Sequence, residues 1–193
     1  LAVATDRLSA ARASTEAALA ESRTDSLTKT ANWKAFYASL RTAATDAAEN
    51  RALLVVLMLD IDQFSTFNER HGRATGDQLL RMIAAELQKA FGASGFVARH
   101  GGDSFGIVLP GVETEAAVAM AHAFRAAFAS RRIINRATAQ PLGVVTVSIG
   151  LAEYRRGEAL AHLIYRCRGA LDQARSLGGD GVVVAAVPTP RLG

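Results

Sequence analysis

Seven consecutive apolar residues, Leu53–Leu59, run directly into Asp60, Ile61 and Asp62. A strand exposed on one face would alternate, so an unbroken run this short predicts a central strand covered on both faces. The chain must therefore supply helices on two sides of a sheet. It must also carry a carboxylate, Asp60, out of the core at the strand's exit. The rest of the sequence meets that demand. Asn32 is placed to cap a helix through "WKAFYASLRTAATDAAE", and "QFSTFNERHG" fits a short helix. Residues 76–91 fit a longer helix, with Leu79, Leu80, Ile83, Leu87 and Phe91 at helical spacing. "GFVARHGGDSFGIVLPG" reads as strand, glycine turn, strand. Helix "ETEAAVAMAHAFRAAFAS", strand "GVVTVSIGLAEY", helix "EALAHLIYRCRGALDQARSLG" and strand "GVVVAAV" follow. The order α, β, α, α, β, β, α, β, α, β predicts an α/β (α+β) domain, a mixed sheet flanked by helices.

With 193 residues, 50% of them hydrophobic, the chain can bury one core and still carry an appendage. That appendage is expected at residues 1–24. There Leu1, Leu8, Thr15 and Ser22 stand seven apart, with Ala4, Ala11 and Ala18 between them, a weak heptad that fits a coiled coil or a single solvated helix. The globular domain is expected over residues 25–187 and a short tail over 188–193. The chain opens on Leu1 rather than Met, as a piece of a longer protein would. No apolar run reaches membrane-spanning length, the start lacks the order of a secretion signal, and the single Cys167 excludes an intrachain disulfide. A cytoplasmic setting is the expectation. The net charge is +4, but the arginines are scattered and aromatics make up only 6%, so nucleic-acid binding is not expected. The densest basic stretch, "SRRIINR", alternates with Ile and reads as a strand or its approach.

Chemistry concentrates in two places. If the hairpin pairs beside the first strand, Asp103 in its turn converges with Asp60, and two such acids can hold Mg²⁺ with substrate phosphates completing the shell. Gly101 and Gly102 let the backbone approach a bulky anion. On residue types alone, Asp60 could simply end a strand and Asp103 simply make a turn. Asn68 and Asp77 likewise fit helix-terminus roles. His71, His100, His122 and His162 share no metal spacing, although His100 lies close enough to the turn to touch phosphate. Cys167 reads as packing, and Trp33 and Tyr37 as core contacts.

Five segments in order, "DSLTKTAN", "DIDQFSTFNERHGRATGD", "RHGGDSF", "VTVSIG" and "ALDQARSLG", resemble the GGDEF family of diguanylate cyclases over roughly residues 25–185. The resemblance implies a fold like nucleotidyl cyclases and polymerase palms, with about five strands. It implies an activity joining two GTP molecules into cyclic di-GMP and pyrophosphate, one GTP on each subunit of a homodimer, with Mg²⁺ as cofactor. By position, Asp60, the Ile61 carbonyl and Asp103 would be metal ligands. Asn68 and Asp77 would read guanine, whose N1–H and amine suit a carboxylate acceptor. Phe64, Gly101, Gly102 and Arg175 would complete the substrate-binding set.

The departures matter as much. Ser104 stands where the signature has Glu, and a hydroxyl cannot act as the equivalent base. Ser65 replaces a phosphate-contacting Lys and Gly179 an Arg, while Asp172 replaces a Tyr; Arg175 keeps a positive charge in place of Lys. Each lost cation weakens triphosphate binding and transition-state stabilisation. The window of the family's product-inhibition site reads "GASG", Gly92 to Gly95, so no such site is expected. Three readings follow: a degenerate GGDEF domain that binds GTP or regulates with absent or weak cyclase activity, an active diguanylate cyclase, or a nucleotide-free dimerisation and relay module. In the cyclase and relay readings the N-terminal segment is the expected control element, and the partners expected are a sensor or output domain outside this chain.

Overall fold

The computed structural model describes residues 23–135 and 140–186. The expected heptad segment, up to Ser22, and the tail at 188–193 lie outside them. The chain enters through a two-residue strand, β1 (Ala31–Asn32), into helix α1 (Trp33–Asn50), whose start is fixed by Asn32: its side chain accepts from the Ala35 amide at 3.1 Å. Strand β2 (Leu54–Ile61) follows, buried at every position, as the uninterrupted apolar run demands.

Helices α2 (Phe64–His71) and α3 (Arg73–Phe91) come next, then strands β3 (Phe96–Gly101) and β4 (Ser104–Pro110). Helix α4 (Thr114–Ala129), a small ribbon of β5 (Ile133–Ile134) and β6 (Pro141–Gly143), strand β7 (Val147–Glu153), helix α5 (Leu160–Ser176) and strand β8 (Val182–Val184) complete the order. Helix α3 begins at Arg73 rather than near residue 76, because Gly72 at φ 82° breaks the chain only briefly before the helix resumes.

The main sheet runs β1-β3-β4-β2-β7-β8, a mixed sheet of six strands. The sixth strand is β1, too short to carry a periodic signal. It pairs parallel to β3, and β8 pairs parallel to β7; every other pairing in this sheet is antiparallel. Alternation along β2 divides the core. Val55, Leu57, Leu59 and Ile61 pack with α3 and α4 residues such as Ile83, Leu87, Phe91 and Phe124. Leu54, Val56 and Met58 pack with α1 and α5 residues such as Phe36, Leu40 and Leu163. Asp60 continues this second face, which is why it emerges beneath α5.

Cys167 belongs to that packing. Its Sγ lies 3.3 and 3.2 Å from the Val56 and Gly150 carbonyl oxygens, either of which can accept its single proton, and burial pushes the thiol up to about 12, far from thiolate chemistry at neutral pH. Trp33 stacks on the fully buried Phe36 at a ring separation of 4.2 Å, and Tyr37 packs beside them. No described helix is long and apolar enough to cross a membrane.

Candidate nucleotide site

The sheet brings Asp60 and the glycine turn together as the sequence pattern requires. Antiparallel pairing sets Ser104 of β4 directly opposite Asp60 of β2, leaving Gly102 and Asp103 as the turn between β3 and β4. Gly101 and Gly102 adopt φ of 139° and 55°, and a Cβ on either would meet nothing within 4 Å. The backbone is therefore open toward an approaching ligand.

Asp60 is only 8% exposed at its side chain, and both of its oxygens are engaged. The Ser104 hydroxyl donates to Oδ1 at 2.5 Å, and the Arg175 guanidinium, reaching down from α5, donates to Oδ2 at 2.6 Å. Ser104 thus does more than omit the family's acid: it donates to the carboxylate that the missing Glu would have faced. Asp103 is half-buried. Burial pushes its carboxyl above the ordinary range and the Asp60 charge adds to that, against its own backbone hydrogen bond and the pull of Arg175 and Arg99.

The ligand set expected for Mg²⁺ can be tested on this geometry. Asp60, the Ile61 carbonyl and Asp103 come from the strand end and the neighbouring turn. With Asp60 committed to a hydroxyl and a guanidinium, the residues as arranged do not fit a resident divalent ion.

Asp62 proves to be an anchor the sequence did not reveal. Its carboxylate accepts from the Thr146 and Ser148 hydroxyls at 2.6 and 2.7 Å and from the Asp180 amide at 2.8 Å, tying β2, β7 and the α5–β8 turn together. The cue was the alternation Thr146, Ser148 opposite a second acid. Gly179 sits beside this anchor at φ 77°, and a Cβ there would stand 2.9–3.0 Å from the Asp62 carboxyl atoms, so a side chain at this position would require that carboxylate to shift.

A second overlooked residue is Arg99. Its guanidinium donates to the Gly102 carbonyl at 2.6 Å and, at 3.1 and 3.3 Å, to both oxygens of Asp25 at the domain entry. Asp25 in turn accepts from the Thr28 amide and hydroxyl. Burial would raise the Asp25 carboxyl, but these hydrogen bonds and the Arg99 charge outweigh it and hold it below the ordinary value. One side chain therefore links the entrance of the domain to the glycine turn.

The expected base-reading residues lie on the paired helices α2 and α3, which Gly72 joins. Asn68 Oδ1 is buried with no hydrogen-bond partner. It lies against Gly76, where a Cβ would come within 1.8 Å of it and 3.3 Å of the Phe64 ring. Gly76 thus makes the space the amide occupies, and Asp77 follows it, half-buried. An orphaned acceptor of this kind costs about 1–3 kcal/mol.

Other expectations fall elsewhere. His100 stands edge-on to Trp33 at a ring separation of 4.2 Å, with its Nε2 2.7 Å from an Arg168 nitrogen. Burial and the Arg168 charge hold its pKa below the ordinary value despite Asp60. Ser65 and Asp172 are exposed.

Comparison with known proteins agrees with this geometry. The profile of the family described as "Diguanylate cyclase, GGDEF domain" matches residues 22–180. The chain is 33% identical over 128 residues to diguanylate cyclase VdcA of Vibrio cholerae and 32% over 162 residues to DgcP of Pseudomonas aeruginosa. Those alignments cover 66% and 84% of this chain, but only 38% and 24% of the relatives' own lengths. Among solved structures, the coiled coil and GGDEF domain of DgcB from Caulobacter crescentus, in complex with c-di-GMP, superposes with a TM-score of 0.91. That pair shares 32% identity over 95% of this chain and 96% of the other. Diguanylate cyclase SiaD of Pseudomonas aeruginosa, in complex with its activator SiaC, gives 0.81 at 28% identity, over 95% and 70% of the two chains. A profile that matches most of the chain, and relatives 32–33% identical over 66% and 84% of it, lead to one assignment: the chain belongs to the GGDEF-domain family of diguanylate cyclases.

Proposed function

We propose that this chain is a degenerate GGDEF domain of cyclic di-GMP signalling, which holds GTP as a regulatory ligand and has absent or weak cyclase activity. The observation that carries the reading is Ser104: it stands in register opposite Asp60 and spends its hydroxyl on that carboxylate, where the reaction needs a further acid. Loss of the Lys at position 65 and the Arg at position 179 acts in the same direction, because each removes charge stabilisation from the triphosphate.

In this reading Asn68 and Asp77 contact the guanine edge, Phe64 borders it, and Gly101, Gly102 and Arg175 receive the phosphates. Any divalent ion, held by Asp60, the Ile61 carbonyl and Asp103, would have to displace Ser104 and Arg175 first; once bound it would neutralise phosphate charge. The domain spans residues 25–187, and residues 1–24 pair two copies as a homodimer and receive the signal from domains outside this chain. The alternative, a slow cyclase, is favoured by the intact Gly101-Gly102-Asp103 turn.

The test is equilibrium dialysis of nucleotide-stripped protein with GTP and with ATP. Preferential retention of GTP by tenfold or more is expected. Equal, negligible retention of both contradicts the reading and favours a nucleotide-free relay module.

A further inference from the structure

Asp60 lies at the point where the family's chemistry calls for a metal, yet its two oxygens are occupied by an uncharged hydroxyl donor and a cation. Arg175 is half-exposed, with its side chain 50% accessible while the carboxylate it holds is 8% accessible. A guanidinium has five N–H donors in a planar fork, and the Arg175 hydrogen bond given by the geometry uses one of them, at Nη1. It can therefore neutralise Asp60 and still present donors to an anion. Ser104, opposite Asp60 in the sheet, adds no negative charge that a divalent ion would have to cancel.

We propose that Arg175 takes over the charge-neutralising role of the divalent ion, so that this site binds guanine nucleotide triphosphate without needing a metal. The inference rests on the GTP-binding reading above and adds how the triphosphate is received. Two carboxylates and a Glu in place of Ser104 would repel a metal-free triphosphate strongly. Here Asp60 is paired internally and position 104 carries no acid, which leaves Asp103 as the one carboxylate facing the phosphates without a cation bonded to it. The glycine turn leaves the phosphates an open path, since neither Gly101 nor Gly102 has a neighbour where a side chain would stand. The ion pair gives position 175 a reason to carry a cation, directed at Asp60, while positions 65 and 179 carry none.

The experiment uses isothermal titration calorimetry of the full chain with the α,β-methylene analogue of GTP, which cannot release pyrophosphate. Titrations are run in excess Mg²⁺ and in excess EDTA. Affinities within about threefold of each other are expected. A loss of tenfold or more on chelation overturns the proposal while leaving GTP binding standing. No heat in either condition removes the GTP-binding reading and the proposal with it.

Two variants sharpen the result. Ser104→Glu restores an acid beside Asp60 and is expected to make binding depend on Mg²⁺ by tenfold or more. Arg175→Gln is expected to weaken binding about tenfold in EDTA, with Mg²⁺ recovering part of the loss. An Arg175→Gln protein that binds equally well in EDTA shows that the guanidinium does not replace the ion, and overturns the proposal.

Discussion

Ser104 and Gly76 show how single residues decide what this site can do. Replacing an acid by a hydroxyl converts the partner of Asp60 from a repelling carboxylate into a hydrogen-bond donor at 2.5 Å. Gly76 acts through space: no larger residue fits while Asn68 Oδ1 lies where its Cβ would be. Substitution Gly76→Ala is therefore expected to displace the amide and weaken GTP binding roughly tenfold to a hundredfold, on the scale of about 1–3 kcal/mol for one buried polar partner. Asn68→Ala, which removes the amide but leaves the glycine, should give a loss of the same order. Measured by competition against a fluorescent guanine nucleotide, unchanged affinity in both variants would remove this amide from the base pocket. The roles proposed for Asn68 and Asp77 come only from the ordered motifs, because in isolation both look like helix-terminus residues. The need for Gly76 was not legible at all, since a glycine in the first turn of a helix gives no sign of which side chain it accommodates.

At the level of elements, the domain entry and the glycine turn are joined through Arg99. Its side chain is 11% exposed and that of Asp25 is 20% exposed, so solvent screens the pair only partly. Arg99→Ala is expected to cost about 2 kcal/mol of stability through the lost charge-assisted hydrogen bonds. Because the Asp25 carboxyl is held below its ordinary value of 3.8, its contribution is fully present above that pH and is lost as pH falls through the lower folded value. Acid unfolding followed by circular dichroism should show this: Asp25→Asn is expected to flatten the stability curve below about pH 4, and an unaltered curve would contradict the account. The strands, helices and hairpin were readable from periodicity, and Asn32 announced the start of α1. The Arg99–Asp25 pair was not, since 74 residues separate the partners and neither sits in a spacing that predicts the other. The small β5–β6 ribbon was half-legible, as the Ile pair within a basic stretch.

Across the whole molecule, one central strand organises everything described. Its alternating faces divide the core, its last residues carry Asp60 and Asp62, and its neighbours supply Ser104 on one side and Ser148 on the other. The fold of the family is kept, and in the reading proposed above fold and function separate at a few side chains, Ser104, Ser65 and Gly179, which stand where the family resemblance implies an acid and two cations. The direct test is to strip the purified protein of nucleotide, incubate it at high concentration with GTP and Mg²⁺, and quantify both protein-retained GTP and cyclic di-GMP by mass spectrometry against a no-protein control. Retained GTP with no cyclic di-GMP above background is the predicted result; accumulation of cyclic di-GMP over many turnovers would show that Ser104 is compatible with catalysis and contradict it.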